Sequence, residues 1–196
     1  MKRGKVAGAC AAAVSLGLGC LLVPVLPAAA GTGAPCATSQ LQSVPGGSQH
    51  LAGSVPVVFI HGIISGARLW KVSAPGSMAY QAARMSGVTA WTFGYGPESL
   101  DWVTNPAIGP AFAAGLSCLA SASHNKVIVV AHSMGGLATQ YALATDDPHG
   151  GTVGDHVAEV ITIGTPYRGS ELLTAMQLAR RGDLANPEAV LGEAVL

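Results

Sequence analysis

Residues 127–137 read Val-Ile-Val-Val-Ala-His-Ser-Met-Gly-Gly-Leu, and this stretch constrains the fold more than any other. Four β-branched residues lead into a small residue, a serine between His and Met, two glycines, and then helix-forming sequence. That order predicts a strand, a very tight turn and a helix, with Ser133 at the apex. A serine so placed is lifted clear of the sheet, with its hydroxyl exposed at the carboxyl end of the strand. The residues two before and two after it, Ala131 and Gly135, must be small or the turn would clash.

The surrounding chain repeats strand and helix. Buried-strand patterns fall near 55–60, 88–93, 127–131 and 157–163, and helical patterns near 76–86, 106–122 and 134–145. In the second helix Ile108, Phe112, Leu116 and Leu119 share one face, and Pro106 suits a first turn. Alternation of this kind predicts right-handed crossovers and a parallel sheet with helices on both faces, an α/β fold. Ligands of such sheets sit beyond the carboxyl ends of the strands. His61-Gly62 after the first strand, Ser133 after the third and Gly164-Thr165-Pro166 after the fourth all fall there.

These three segments carry a resemblance. Ala-His-Ser-Met-Gly-Gly is similar to the G-x-S-x-G turn of secreted lipases and esterases of the α/β-hydrolase superfamily, with Ala131 in place of the first glycine. Gly164-Thr165-Pro166 with Gly169-Ser170 resembles the G-T-P-H-x-G-S stretch of many lipases, with Tyr167 where His is usual. The resemblance covers about residues 55–170. It implies Ser133 as nucleophile, the Ile63 and Met134 backbone N–H groups as donors to a tetrahedral oxyanion, and His61, Gly62, Ala131, His132 and Gly135 as support for the turn and strap. It implies lipid or small-ester substrates, no cofactor and no metal. Acyl transfer to another alcohol uses the same parts.

Serine needs a base, usually a histidine held by a carboxylate, and in this family the order is Ser, Asp or Glu, then His. Of six histidines only His149 and His156 follow Ser133. Both precede the strand at 157–163, which places them at its amino end, away from the site, as surface residues. Asp146, Asp147 and Asp155 share that end. Glu171, Asp183, Glu188 and Glu193 lie in a lid-like segment from about residue 171 with no strand before them. The expectation is an α/β-hydrolase domain over 55–196 whose sheet is incomplete at its C-terminus, inactive by itself. A degenerate hydrolase, or a secreted binding protein using the same pocket without turnover, is the alternative.

Composition bounds the rest. Charged residues make up 10% of the chain and hydrophobic ones 49%, and none of Asp, Glu, Lys or Arg occurs between Lys5 and Arg68. Lys2, Arg3 and Lys5 precede an apolar run from Val6 to Val23, and Ala28-Ala29-Ala30 offers a cleavage site. Residues 1–30 therefore read as a signal peptide for secretion, with an uncleaved membrane anchor as the alternative. Without them 7 basic residues face 10 acidic ones, a net charge of −3, which argues against nucleic-acid binding. No stable membrane span is expected after cleavage. Cys36 and Cys118 remain, free to pair in an oxidising compartment but not shown by sequence to be close. Residues 31–54, uncharged and rich in Gly, Pro, Ser and Thr, read as an irregular linker or strap.

Overall fold

The computed structural model describes residues 35–148 and 150–170. Five strands form one sheet: β1 (Leu41–Ser43), β2 (Val55–Ile60), β3 (Val88–Phe93), β4 (Val127–His132) and β5 (Val157–Ile163). Their order is β1-β3-β2-β4-β5. β2, β3, β4 and β5 run parallel, and β1 lies antiparallel to β3 at one edge. Among the described residues three α-helices accompany them: α1 (Met78–Ala82), α2 (Gly109–Ser123) and α3 (Met134–Leu143). The four expected strands are all present. The expected helix over 76–86 is confined to one turn after Ser77, whose side chain accepts the Tyr80 N–H.

Side chains alternate across each parallel strand, so both sheet faces are apolar. Val58, Ile60, Trp91, Phe93, Val129 and Ala131 face one core with Phe112, Leu116 and Leu119 of α2 and Ala138 and Ala142 of α3. Phe59, Ala90 and Val130 face the other, with Trp70 and α1's Ala79 and Ala82. Pro56 sits inside β2, where proline would remove a ladder donor. Pairing with β4 begins one residue later, at Val57.

The described part of the segment read as an irregular strap, residues 35–54, includes some regular structure. It contains β1, and Cys36, Leu41, Val44 and Leu51 are buried in the cores. A three-residue strand has no readable periodicity, and it forms here because β3 offers it an open edge. Cys36 is bonded to Cys118 of α2 across 82 residues, which fastens this segment to the helix.

Among the described residues β5 pairs on one side only, with β4, and much of it is exposed, Ile161 at 45% and Ile163 at 38%. No described helix is long and apolar enough to cross a membrane. The signal segment 1–30 and the lid-like segment from about 171 lie outside the described residues, as does His149.

Candidate functional site

β4 ends at His132 and α3 begins at Met134, so the chain reverses within one residue. Ser133 carries that reversal with φ 53° and ψ −126°, a conformation that L-residues adopt only under tertiary constraint. The constraint is visible. Its N–H donates to the Ile163 carbonyl at the end of β5 (2.9 Å), and its carbonyl accepts the Gly136 N–H (3.0 Å).

The expected small residues are needed for space. A Cβ on Gly135 would lie 2.6 Å from the His61 carbonyl oxygen and 2.8 Å from that of Ile60. One on Gly62 would lie 2.6 Å from Ser133 Cβ and 3.1 Å from its Oγ. The strap after β2 therefore touches the serine. Ala131 is fully buried between Ile60 of β2 and Thr162 of β5. On the other flank Thr165, from the turn after β5, presses on Gly136, where an added Cβ would stand 2.8 Å from Thr165 Cβ. The ends of β2, β4 and β5 thus meet at Ser133.

The two candidate oxyanion donors follow directly on Gly62 and on Ser133 in the chain. Among the described residues the Ile63 N–H has no acceptor. Met134 opens α3, where first-turn N–H groups lack acceptors within the helix and carry the positive end of its dipole.

His61 is a structural residue. It is buried and stacked on Tyr95 with ring centroids 4.1 Å apart. Its Nε2 accepts the Tyr95 N–H (3.1 Å), which leaves the ring proton on Nδ1, facing the Gly62 carbonyl at 2.8 Å. The Tyr95 hydroxyl donates to the His61 carbonyl (2.6 Å). Burial holds the imidazole below its usual pKa and nearby His132 adds to this, while the Gly62 bond opposes. Burial also pushes the Tyr95 phenol upward, so it stays a donor. With both ring nitrogens used, His61 holds the strap in shape and has no lone pair for Ser133. His132 Nδ1 is buried without a partner. The Ser133 hydroxyl makes no hydrogen bond with any described residue.

His156 is only partly a surface residue. Its Nε2 lies 3.3 Å from Oδ2 of the buried Asp147, which also accepts the Ser117 hydroxyl at 2.7 Å. These groups sit before the amino end of β5, remote from Ser133, and tie α2 to the turn leading into β5. Sequence reading placed them at that end but missed the burial of Asp147, which depends on α2. It also missed Tyr95, whose only signal is its place just after β3.

Residues 57–194 match the model of the alpha/beta hydrolase family. The fold is similar to that of Bacillus licheniformis lipase BlEst2 in its mature form, with TM-score 0.50, 28% identity, 71% of this chain and 51% of that one covered. The propeptide form of that lipase gives TM-score 0.52 at 29% identity, over 67% of this chain and 27% of that one. Aspergillus fumigatus lipase B shares the fold, with TM-score 0.53, 21% identity, and 67% and 29% covered. The chain thus spans about half the length of the mature bacterial lipase that it matches. With its mostly parallel sheet, the strained serine between β4 and α3 and this family match, the chain belongs to the alpha/beta hydrolase family.

Proposed function

We propose that this chain carries the nucleophile and oxyanion-binding half of a carboxylic ester hydrolase acting on lipid or small esters. The observation that carries the reading is the backbone of Ser133, held at φ 53° against Gly62 and the head of α3. Strain of this kind, kept by surrounding structure, is a mark of functional sites. In the proposed reaction Ser133 Oγ attacks the ester carbonyl carbon and gives its proton to a base. The carbonyl oxygen becomes an oxyanion against the Ile63 and Met134 N–H groups. Collapse breaks the C–O bond to the alcohol, which leaves with a proton, and water then releases the acid from Ser133 by the same route. The similarity to proteins described as lipases supports the substrate class.

Among the described residues no histidine is in place to take the Ser133 proton. Loss of the base alone costs on the order of 10⁶ in turnover in a well-studied serine protease. The 196-residue chain by itself is therefore proposed to turn over esters only in trace amounts. The Ser133 hydroxyl, without a hydrogen-bond partner among the described residues, also favours a second reading, a binding protein that holds ester-like ligands without cleaving them. Residues 1–30 are proposed to direct secretion and to be removed before Gly31; N-terminal sequencing that finds Met1 retained in a membrane fraction would favour an anchor.

Labelling with a fluorophosphonate separates the readings. The expected outcome is a phosphonyl adduct on Ser133, slow but measurable by intact mass, that disappears in Ser133→Ala. Labelling that survives the substitution removes Ser133 from the reaction, and no labelling after prolonged exposure favours the binding reading.

A further inference from the structure

The strap after β2 contains a turn that a side chain closes. Ile64 lies at φ 51°, in the left-handed region, where a β-branched residue is an outlier. Across that turn the Ser65 hydroxyl donates to the Gly62 carbonyl oxygen at 2.8 Å. Among the described residues no backbone hydrogen bond joins Ser65 to Gly62. The same oxygen accepts from His61 Nδ1 at 2.8 Å. His61 Nε2 is taken by the Tyr95 N–H, so Nδ1 carries the ring proton. The Ser65 oxygen, 3.3 Å from Nδ1, therefore keeps its own proton for the carbonyl. Two donors fill the two lone pairs of the Gly62 oxygen.

That carbonyl and the Ile63 N–H belong to one peptide group. The group is planar and trans, so its C=O and N–H point in opposite directions. Holding the oxygen fixes the direction of the N–H. Donors on the oxygen also polarise the group and strengthen the N–H as a donor. The Ile63 N–H itself has no acceptor among the described residues. Its nitrogen is two bonds from Gly62 Cα, where an added Cβ would stand 3.1 Å from Ser133 Oγ.

We infer that Ser65 is a positioning residue, which orients and polarises the Ile63 N–H for the oxyanion formed at Ser133. The inference rests on the reading of Ser133 as nucleophile and of Ile63 as an oxyanion donor. It also gives the strained backbone at Ile64 a use, since that turn lies between the Ser65 hydroxyl and the carbonyl it meets.

The test uses the full chain and two p-nitrophenyl alkylphosphonates that differ in one atom, P=O or P=S. In each, the bond from Ser133 Oγ to phosphorus forms and the bond from phosphorus to the aryl oxygen breaks. p-Nitrophenolate leaves and the serine proton passes to solvent. Sulfur is a weak hydrogen-bond acceptor, so the ratio of P=O to P=S labelling rates, followed by intact mass, reads the oxyanion donors. The intrinsic difference between the probes cancels when a variant is compared with the wild type, and general damage to the fold slows both probes alike. In Ser65→Ala the ratio should fall several-fold, short of the about 10²–10³ that a lost donor costs. Ser65→Thr, which keeps the hydroxyl, should restore it. An unchanged ratio in Ser65→Ala overturns the inference, as does a fall that Ser65→Thr does not restore, which would make Ser65 a packing residue. If Ser65→Ala does not fold, Ser65→Thr decides: a wild-type ratio upholds the inference and a lower one overturns it. Failure of both probes to label wild-type Ser133 overturns the nucleophile reading and this inference with it. Labelling at a ratio indifferent to Ser65 removes the positioning role alone.

Discussion

The backbone N–H of Ser133 donates to the Ile163 carbonyl at 2.9 Å, so the turn that presents the serine is fastened to the last residue of β5. The candidate nucleophile is thereby held from two sides, by β5 through this bond and by the β2 strap through Gly62. The precision of the site depends on three strand ends staying in register.

Gly62 is the position where that contact is most easily broken. Gly62→Val puts a Cβ 2.6 Å from Ser133 Cβ, so the strap must shift and carry the Ile63 N–H with it. Losing one oxyanion donor costs about 10²–10³ in rate. Phosphonate labelling of Ser133 should slow by that order while circular dichroism shows the fold retained. A folded variant labelled at the wild-type rate would remove the strap from the mechanism.

Ser133→Gly should be more stable than the wild type. A residue at φ 53° and ψ −126° stores about 1–3 kcal/mol of strain, and glycine tolerates positive φ freely. Urea denaturation should show the midpoint move upward while labelling is lost. A lower midpoint would mean that the hydroxyl or Cβ stabilises the fold more than the backbone strains it.

The Cys36–Cys118 bond closes a loop spanning 82 residues. Chain-entropy estimates for a loop of this size give about 4–5 kcal/mol. Cys36→Ala with Cys118→Ala should lower thermal stability substantially and leave β1 and its neighbours more open to proteolysis. Equal melting temperatures for the double variant and the oxidised protein would show that β1 docks through its pairing with β3 alone.

His61 makes the protein acid-sensitive. Burial lowers its folded pKa below the usual value of 6.5, so the unfolded state takes up the proton first. Its contribution is complete above about pH 6.5 and declines as pH falls toward the lower folded value. Protonation would also place an Nε2–H against the Tyr95 N–H, donor against donor. The melting temperature should therefore fall between about pH 7 and 5. It should fall less in His61→Gln, which offers one acceptor and one donor but does not titrate. Parallel pH profiles would exclude His61 as the cause.

The exposed β5 edge should drive self-association. Ile161 and Ile163 stand out from a strand that pairs on one side among the described residues, and exposed strand edges recruit further strands. Ile161→Lys should reduce light scattering of the purified chain at unchanged helix content. Undiminished scattering would place the association elsewhere.

The parallel strands, α2, α3 and the serine turn were legible in the residues themselves. Their signals are local: β-branched runs for strands buried on both faces, and small residues at 131 and 135 around the serine, the second where the backbone after β2 approaches. Helix length was less legible, since α1 stops at Ala82 although its pattern runs on to residue 86. What only the tertiary structure decided is non-local. β1 exists because β3 presents an edge to it, and Cys36 meets Cys118 because β1 carries it to α2. The His61 ring is locked by Tyr95, a residue 34 positions away, and Asp147 is buried because Ser117 and His156 close over it. Spacing along a chain records the geometry of one strand or helix at a time. Which side chains meet across the sheet, and which backbones are strained to let them, follows from packing that no single segment contains.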